Sequence, residues 1–425
     1  MRQRLCTERE PLSRGVTPKL LDGGIHSAHK ETPMDNLHQA QHPGASAVVG
    51  LALAIALFGQ VAEAQTAQHY KQTNLTSNQA SLAPIMDGGL VNSWGLARSS
   101  TSPWWVADNG TGLSTLYNAT GEKQGLVVTI PSGDTQPPTG TPTGAVFNGD
   151  SSAFLLAPGK AAVFLFVTED GTISGWNPGV SLSKAVIVVN HKSASVYKGV
   201  TIATVQTKNG PQTYLYAADF RQGRVDVFDS TFKPVQLQTG RDDWNGFNPE
   251  RGESGDADSF EDPRLPRGYA PFNVQNIGGN IYVSFAKQDS AKHDELHGAG
   301  MGFVDVFSPR GRLLGRLQSG PWFNAPWGLT LASSDFGAYS HDVLVGQFGS
   351  GMILAFDPVT GKFKGMLTGT DNNPIHIDGL WAISFGNDAS AGPATTLYFT
   401  AGPDDETNGL FGSLTAVENV QGNGQ

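Results

Sequence analysis

The sequence predicts an all-β chain and, within that class, a six-bladed β-propeller with four strands to a blade. Three observations point there. Paired strand-like runs recur six times along the chain. Glycine is abundant, at 53 residues, while charged residues are held to 16%. Apolar residues at helical spacing are nearly absent. Such a glycine-rich, charge-poor composition suits many short strands joined by tight turns.

Taken from the N-terminus, residues 1–33 read as an irregular polar extension upstream of a second methionine, Met34, which would then be the true start. Residues 34–64 read as a signal peptide. Val48 to Phe58 forms an apolar core of h-region length, and Ala62-Glu63-Ala64 is a small-x-small cleavage pattern. The n-region is poor, with no Lys or Arg between Met34 and that core. The run is too short to span a bilayer comfortably, so no stable membrane span is expected after cleavage. Loss of residues 1–64 removes six Lys/Arg and six Asp/Glu, which leaves the net charge at -10, and it removes Cys6, the only cysteine. The expected mature chain, residues 65–425, therefore has no disulfide, no Cys nucleophile and no Cys-ligated zinc. Its stability must come from a large packed core.

The first strand-like run, HYKQTNLTS from His69, alternates suitably but has no partner near it in sequence. Six pairs follow: WWVAD with GLSTLYN, VFLFVTED with GTISGWN, YLYAADF with GRVDVFD, IYVSFAKQ with GFVDVFS, VLVGQFG with GMILAFD, and LYFTAGP with GLFGSLTAV. Each pair is a β-branched and aromatic run, a turn, a Gly and a second alternating run. The first members end near Asp108, Asp170, Asp219, Lys287, Gln347 and Ala401, about 59 residues apart on average.

A short inner run precedes each pair, opening at Trp94, Thr143, Lys198, Phe272, Trp327 and Gly379. An outer run follows five of them: QGLVVTI, AVIVVN, PVQLQ, RLLGRL and KGMLTG. The phrase Trp-Gly-Leu, at Trp94 and again at Trp327, marks the inner strands of blades one and five. There Gly lets neighbouring strands crowd the axis, and Trp fills the wedge between blades. The sixth pair ends in QGNGQ with no outer run. An unpaired closing blade would leave an exposed edge, so the His69 run is assigned as its fourth strand, which closes the ring.

The phrases NSWGLA, PWWVADNGTG, FVTEDGTISGWNP, YAADFRQGRVDVFD, GYAPFNVQNIGGNIYVSFAKQD, NAPWGLTLA and IDGLWAISFGN resemble a family of uncharacterised exported bacterial propellers. The resemblance covers essentially all of residues 65–425. It implies the fold and export, with an extracytoplasmic (periplasmic or secreted) location in bacteria, and it implies no reaction. More loosely, the chain is similar to NHL-repeat propellers, which mostly bind proteins or nucleic acid. The wider six-bladed group also holds calcium-dependent lactonases and strictosidine synthase-like enzymes. No motif here matches the lactonase ligands residue by residue.

In a four-stranded blade the inner strand begins, and the second strand ends, on one face. That face gathers the candidate ligand-binding residues Asn92, Trp94, Asp108, Asp219, Asn273, Lys287, Asp289, His293, Trp327 and Asp378 around the channel mouth. Glu169, Asp170, Lys198, Arg221, Gln347 and Trp381 belong to the same face. Individual Asp and Asn residues after a strand serve equally well as turn formers. Calcium is the metal such oxygen groups would take, and Asn92, Glu169, Asp219, Asn273 and Asp378 are the set that would have to converge. The segment AKQDSAKHDELHGAGMG, Ala286 to Gly302, is a long charged loop over this mouth. His293 and His297 would share a face if it were helical, and a solvated surface loop is the plainer reading. The charged insertion Thr239 to Pro266 lacks EF-hand spacing and reads as surface decoration.

Acidity without a Lys/Arg cluster excludes a nucleic-acid footprint. Neither a G-x-S-x-G elbow nor a phosphate-binding Gly loop occurs. Two function classes stay open. One is a monomeric binding module that takes a ligand or protein of the cell envelope. The other is a metal-assisted hydrolase, such as a calcium-dependent lactonase, centred on the channel.

Overall fold

A computed structural model describes residues 69–134, 136–207, 209–237 and 259–417. The expected signal peptide, the extension before it and most of the Thr239–Pro266 insertion lie outside the described residues. The described chain is a six-bladed β-propeller. Blade one runs outward through Ser93–Ala97, Trp104–Asp108, Leu113–Tyr117 and Lys123–Thr129. Blade two follows with Pro142–Phe147, Phe164–Thr168, Thr172–Trp176 and Val186–Asn190. Blades four and five repeat the pattern from Tyr269–Ile277 and from Pro326–Leu331.

Blade six is built as the missing outer run requires. Leu380–Phe385, Leu397–Ala401 and Leu410–Val417 are followed outward by His69–Ser77, which pairs antiparallel from His69↔Val417 to Ser77↔Leu410. Tyr70 ties this strand to the neighbouring blade. Its ring is buried against Phe336, and its hydroxyl donates to the Phe336 carbonyl at 2.9 Å.

Among the described residues, blade three has three strands where four were expected. Tyr197–Thr207, Gly210–Asp219 and Arg224–Phe228 form a three-stranded sheet. The described part of the PVQLQ run contributes the bridge Phe228↔Pro234 and a bond from Val235 N to Val227 O at 2.8 Å. Pro234 has no N–H to extend the ladder, which limits the pairing there. The Ala286–Gly302 loop is not helical. Glu295–Leu296 folds back onto Lys287–Gln288 as a short antiparallel strap. Asp289 caps its turn by accepting from the His293 N–H at 2.9 Å.

Apolar cores lie between successive blades, as alternating inward residues of facing sheets demand. A separate cluster gathers Trp94, Phe220, Phe272, Trp327 and Trp381 from five different blades. Residues from non-adjacent blades can meet only on the central axis.

Candidate functional site: a charged cup above a tryptophan plug

Each inner strand slips register against its neighbour near its start, and the slips fall at Trp94, Thr143, Lys198, Phe272, Trp327 and Trp381. A bulge re-aims the side chain it carries. Here it turns equivalent residues of all six blades toward the axis. Glycine follows two of the tryptophans for want of space. A Cβ on Gly95 would collide with the Thr143 carbonyl of blade two, and one on Gly328 would lie 2.7 Å from the Trp381 carbonyl of blade six.

The aromatic members close the channel. Trp94 and Trp381 stack with centroids 3.6 Å apart, Trp327 meets both edge-on, and Phe348 stacks on the other side of Trp381 at 4.0 Å. Trp94 is 1% exposed and Trp381 0%. The tryptophans expected to offer stacking surfaces at the mouth, or to fill wedges between blades, are therefore an axial plug. Beyond it, further along the inner strands, lies a small pocket of about 50 Å³ lined by Leu96, Val200, Leu329 and Ile383 among others.

Lys198 is the one charged member of the six equivalent positions, and it is 1% exposed. Its carbonyl accepts from Trp327 Nε1 at 3.1 Å. Its ammonium lies 4.9 Å from the centre of the Trp94 ring and meets Glu169 Oε1 at 2.5 Å and Asp294 Oδ1 at 3.3 Å. Glu169 comes from blade two and Asp294 from the strap of blade four. Asn109 of blade one donates to Glu169 Oε2 at 2.8 Å. Asn92 donates to Glu406 of blade six at 2.5 Å, while its own oxygen accepts from Trp381 Nε1 at 2.9 Å. His293 Nδ1 bonds Asp294 Oδ1 at 2.8 Å. Five blades thus contribute to one charged cup whose floor is the plug.

The electrostatics follow from this crowding. Burial works against the Lys198 ammonium, but the carboxylates of Glu169, Glu295 and Asp294 outweigh it and hold its pKa above the usual lysine value. The His293 hydrogen bond, aided by Lys198, brings Asp294 down to about 2, and the same bond raises His293. Glu295 goes the other way. Burial, with the nearby charges of Glu406 and Asp294, pushes it up to about 8 although Lys198 pulls downward. Burial and the Glu169 charge also raise Glu406. With a pKa of about 8 the Glu295 carboxyl is mostly protonated at neutral pH, which leaves the acidic groups of Glu169, Asp294 and Glu406 around one ammonium.

The residues selected from sequence separate into two groups. Asn92 and His293 face the cup directly, and Asp289 shapes the strap. Lys287 lies in the strand beneath the strap. Asp108, Asp219 and Asn273 are buried below it in structural roles. Asp108 accepts from Thr115 Oγ1 at 2.7 Å, Asp219 from the Gln222 N–H at 3.1 Å, and Asn273 donates to the Trp327 carbonyl at 2.8 Å. Burial raises the pKa of both aspartates. Asp378 is exposed and accepts from the Asp404 N–H at 2.9 Å. Glu295 and Glu406 were not selected. The signal available for Glu406 was the charged stretch PDDETNG between the last two strands of blade six, in a loop equivalent to the strap.

The calcium set read from sequence does not converge, because Asp219, Asn273 and Asp378 are engaged elsewhere. Among the described residues, one group of metal-ligating side chains brings its atoms within 4.8 Å of one another: Glu169, His293 and Asp294. The Lys198 ammonium sits on two of the three. Calcium takes six to eight oxygen ligands, and a lysine-blocked set with an imidazole does not fit it.

Fold and cup together define a six-bladed β-propeller with a charged, plugged cup on its axis. No family model matches the chain. Uncharacterised protein L690 of Acanthamoeba polyphaga mimivirus is 30% identical over 352 residues, which cover 81% of this chain and 85% of that one. Uncharacterised protein R648 of the same virus is 29% identical over 356 residues, covering 81% and 80%. The chain belongs to the family of protein L690. The bacterial origin implied by the resemblance finds no support in these viral relatives. Among solved structures, a Bacteroides thetaiotaomicron protein of unknown function is 12% identical with a TM-score of 0.48, covering 81% of this chain and 76% of that one. A streptogramin B lyase structure is 10% identical with a TM-score of 0.44, covering 82% and 98%.

Proposed function

We propose that this propeller is a ligand-binding protein whose site is the axial cup, and that the ligand presents a positively charged, hydrogen-bond-donating group such as an amine. The observation that carries this is the excess of acidic groups around Lys198: Glu169, Asp294 and Glu406 share a single buried ammonium, with a largely protonated Glu295 beside them. A partly buried carboxylate without a counter-charge is costly. An incoming cation would supply one to Glu406, whose partner is the neutral Asn92 amide, and would favour ionised Glu295. The plug beneath them gives the ligand a floor to rest on rather than a pore to cross. Export, proposed from the Val48–Phe58 run and Ala62-Glu63-Ala64, would place this cup outside the cytoplasm.

Titration calorimetry with diamines, amino sugars and their uncharged isosteres tests the reading. Glu406→Gln should weaken amine binding by roughly tenfold, the scale of one charge-assisted hydrogen bond. Amines and neutral isosteres binding alike would end it.

A hydrolase remains the second reading, favoured by one observation. Adjacent carboxyls on the strap are driven apart, Asp294 to about 2 and Glu295 to about 8. Such a split separates an acid from a base at neutral pH. In that reading Glu295 donates the proton and His293, held by Asp294, accepts one. A lactone and ester screen of the wild type against Glu295→Gln decides it, and turnover that survives the substitution removes Glu295 from the reaction.

A further inference from the structure

We infer that Lys198 is the resident cation of the cup, its ammonium standing where a divalent metal ion would otherwise be held, so that the site operates without metal. The inference is independent of which ligand the cup takes. It rests first on position. Lys198 occupies the bulge that in the other five blades carries Trp94, Thr143, Phe272, Trp327 or Trp381, none of them charged. A hydrophobic side chain would complete the plug, yet the chain buries a cation there.

It rests second on geometry. The ligand-type atoms of Glu169, His293 and Asp294 converge within 4.8 Å, and the ammonium reaches Glu169 at 2.5 Å and Asp294 at 3.3 Å. Third, the cation is held in place from outside the carboxylates. Trp327 Nε1 fixes its backbone carbonyl, and the faces of Trp94 and Phe220 lie 4.9 and 5.9 Å from Nζ. Aromatic faces attract a desolvated ammonium. A lysine tethered to an inner strand has an effective concentration at the site set by the fold rather than by the ions in the medium.

The consequence is a gain of function on removing the lysine. Lys198→Ala leaves two carboxylates and an imidazole around a vacated space, a donor set suited to Mn²⁺ or Zn²⁺. Wild type and variant are compared by calorimetry and thermal unfolding with Mn²⁺, Zn²⁺ and Ca²⁺, and after EDTA. The expected result is a wild type indifferent to EDTA and to all three ions. Lys198→Ala should be less stable in EDTA and bind Mn²⁺ or Zn²⁺ at least ~10-fold more tightly than wild type, with a midpoint that rises on adding the ion. Lys198→Met, which fills the space without charge, should not show that rise. If Lys198→Ala unfolds in EDTA, it is refolded with Mn²⁺ present, and failure to recover counts against the inference. A wild type stabilised by any of these ions and weakened by EDTA overturns it, as does Lys198→Ala binding them no better than wild type.

Discussion

Trp381 shows what a single residue does in this fold. It stacks on Trp94 and on Phe348, and its Nε1 holds the Asn92 oxygen, so that the Asn92 amide points to Glu406. One side chain therefore supports the plug and orients a wall of the cup. Trp381→Ala should cost about 3–5 kcal/mol in urea unfolding, the usual range for a fully buried aromatic. Loss of less than about 1 kcal/mol would show that the plug does not bear on stability. Glu295 gives a residue-scale prediction of opposite character. Its folded pKa lies near 8, above the ordinary 4.5, so between these values the folded state binds more protons than the unfolded chain. Its contribution to stability is complete below about pH 4.5 and is lost as pH rises toward 8. Thermal midpoints of the wild type should therefore fall relative to Glu295→Gln across that window. Parallel pH profiles for the two proteins would refute the raised pKa. Residue roles were the least legible part of the sequence. Asp108 and His293 both read as polar groups near a strand end, and only the three-dimensional packing shows one sealed beneath the mouth and the other facing it.

At the scale of elements, pattern carried far more. Alternation marks the strand pairs, and counting blades exposes the missing outer run, which assigns the His69 run to blade six. The pairing from His69↔Val417 to Ser77↔Leu410 is that assignment. A chain beginning at Ser81 should lose several kcal/mol, because Tyr70 leaves its pocket and the Leu410–Val417 edge is left unpaired. Urea unfolding and light scattering measure the two effects, and a fully stable, monodisperse truncation would contradict the closure. The strap was less legible. Its charges and length set it apart, but Glu295–Leu296 is too short a strand to leave a periodic signal, and its pairing with Lys287–Gln288 depends on a turn capped by Asp289. Nor does local sequence separate PVQLQ from the outer runs of other blades.

At the scale of the molecule, two facts combine. The plug makes the axis a cup closed at its base; the chain carries a net charge of -10, and the opening is itself rich in acidic groups. A cationic ligand would thus be drawn toward the cup, and a neutral analogue of the same shape would not. Attraction between solvated charges is screened over roughly 8 Å at physiological ionic strength and extends to ~30 Å at 0.01 M. Long-range steering acts on association more than on dissociation. For any amine that binds the cup, stopped-flow association rates should fall severalfold between low and physiological salt, while dissociation rates change little. Glu406→Gln removes one nearby carboxylate and leaves most of the molecular field. It should therefore accelerate dissociation strongly and flatten the salt dependence of association only slightly. If association were indifferent to salt, the field of the molecule would have no part in bringing the ligand in. If Glu406→Gln changed neither rate, the amine would be binding somewhere other than the cup.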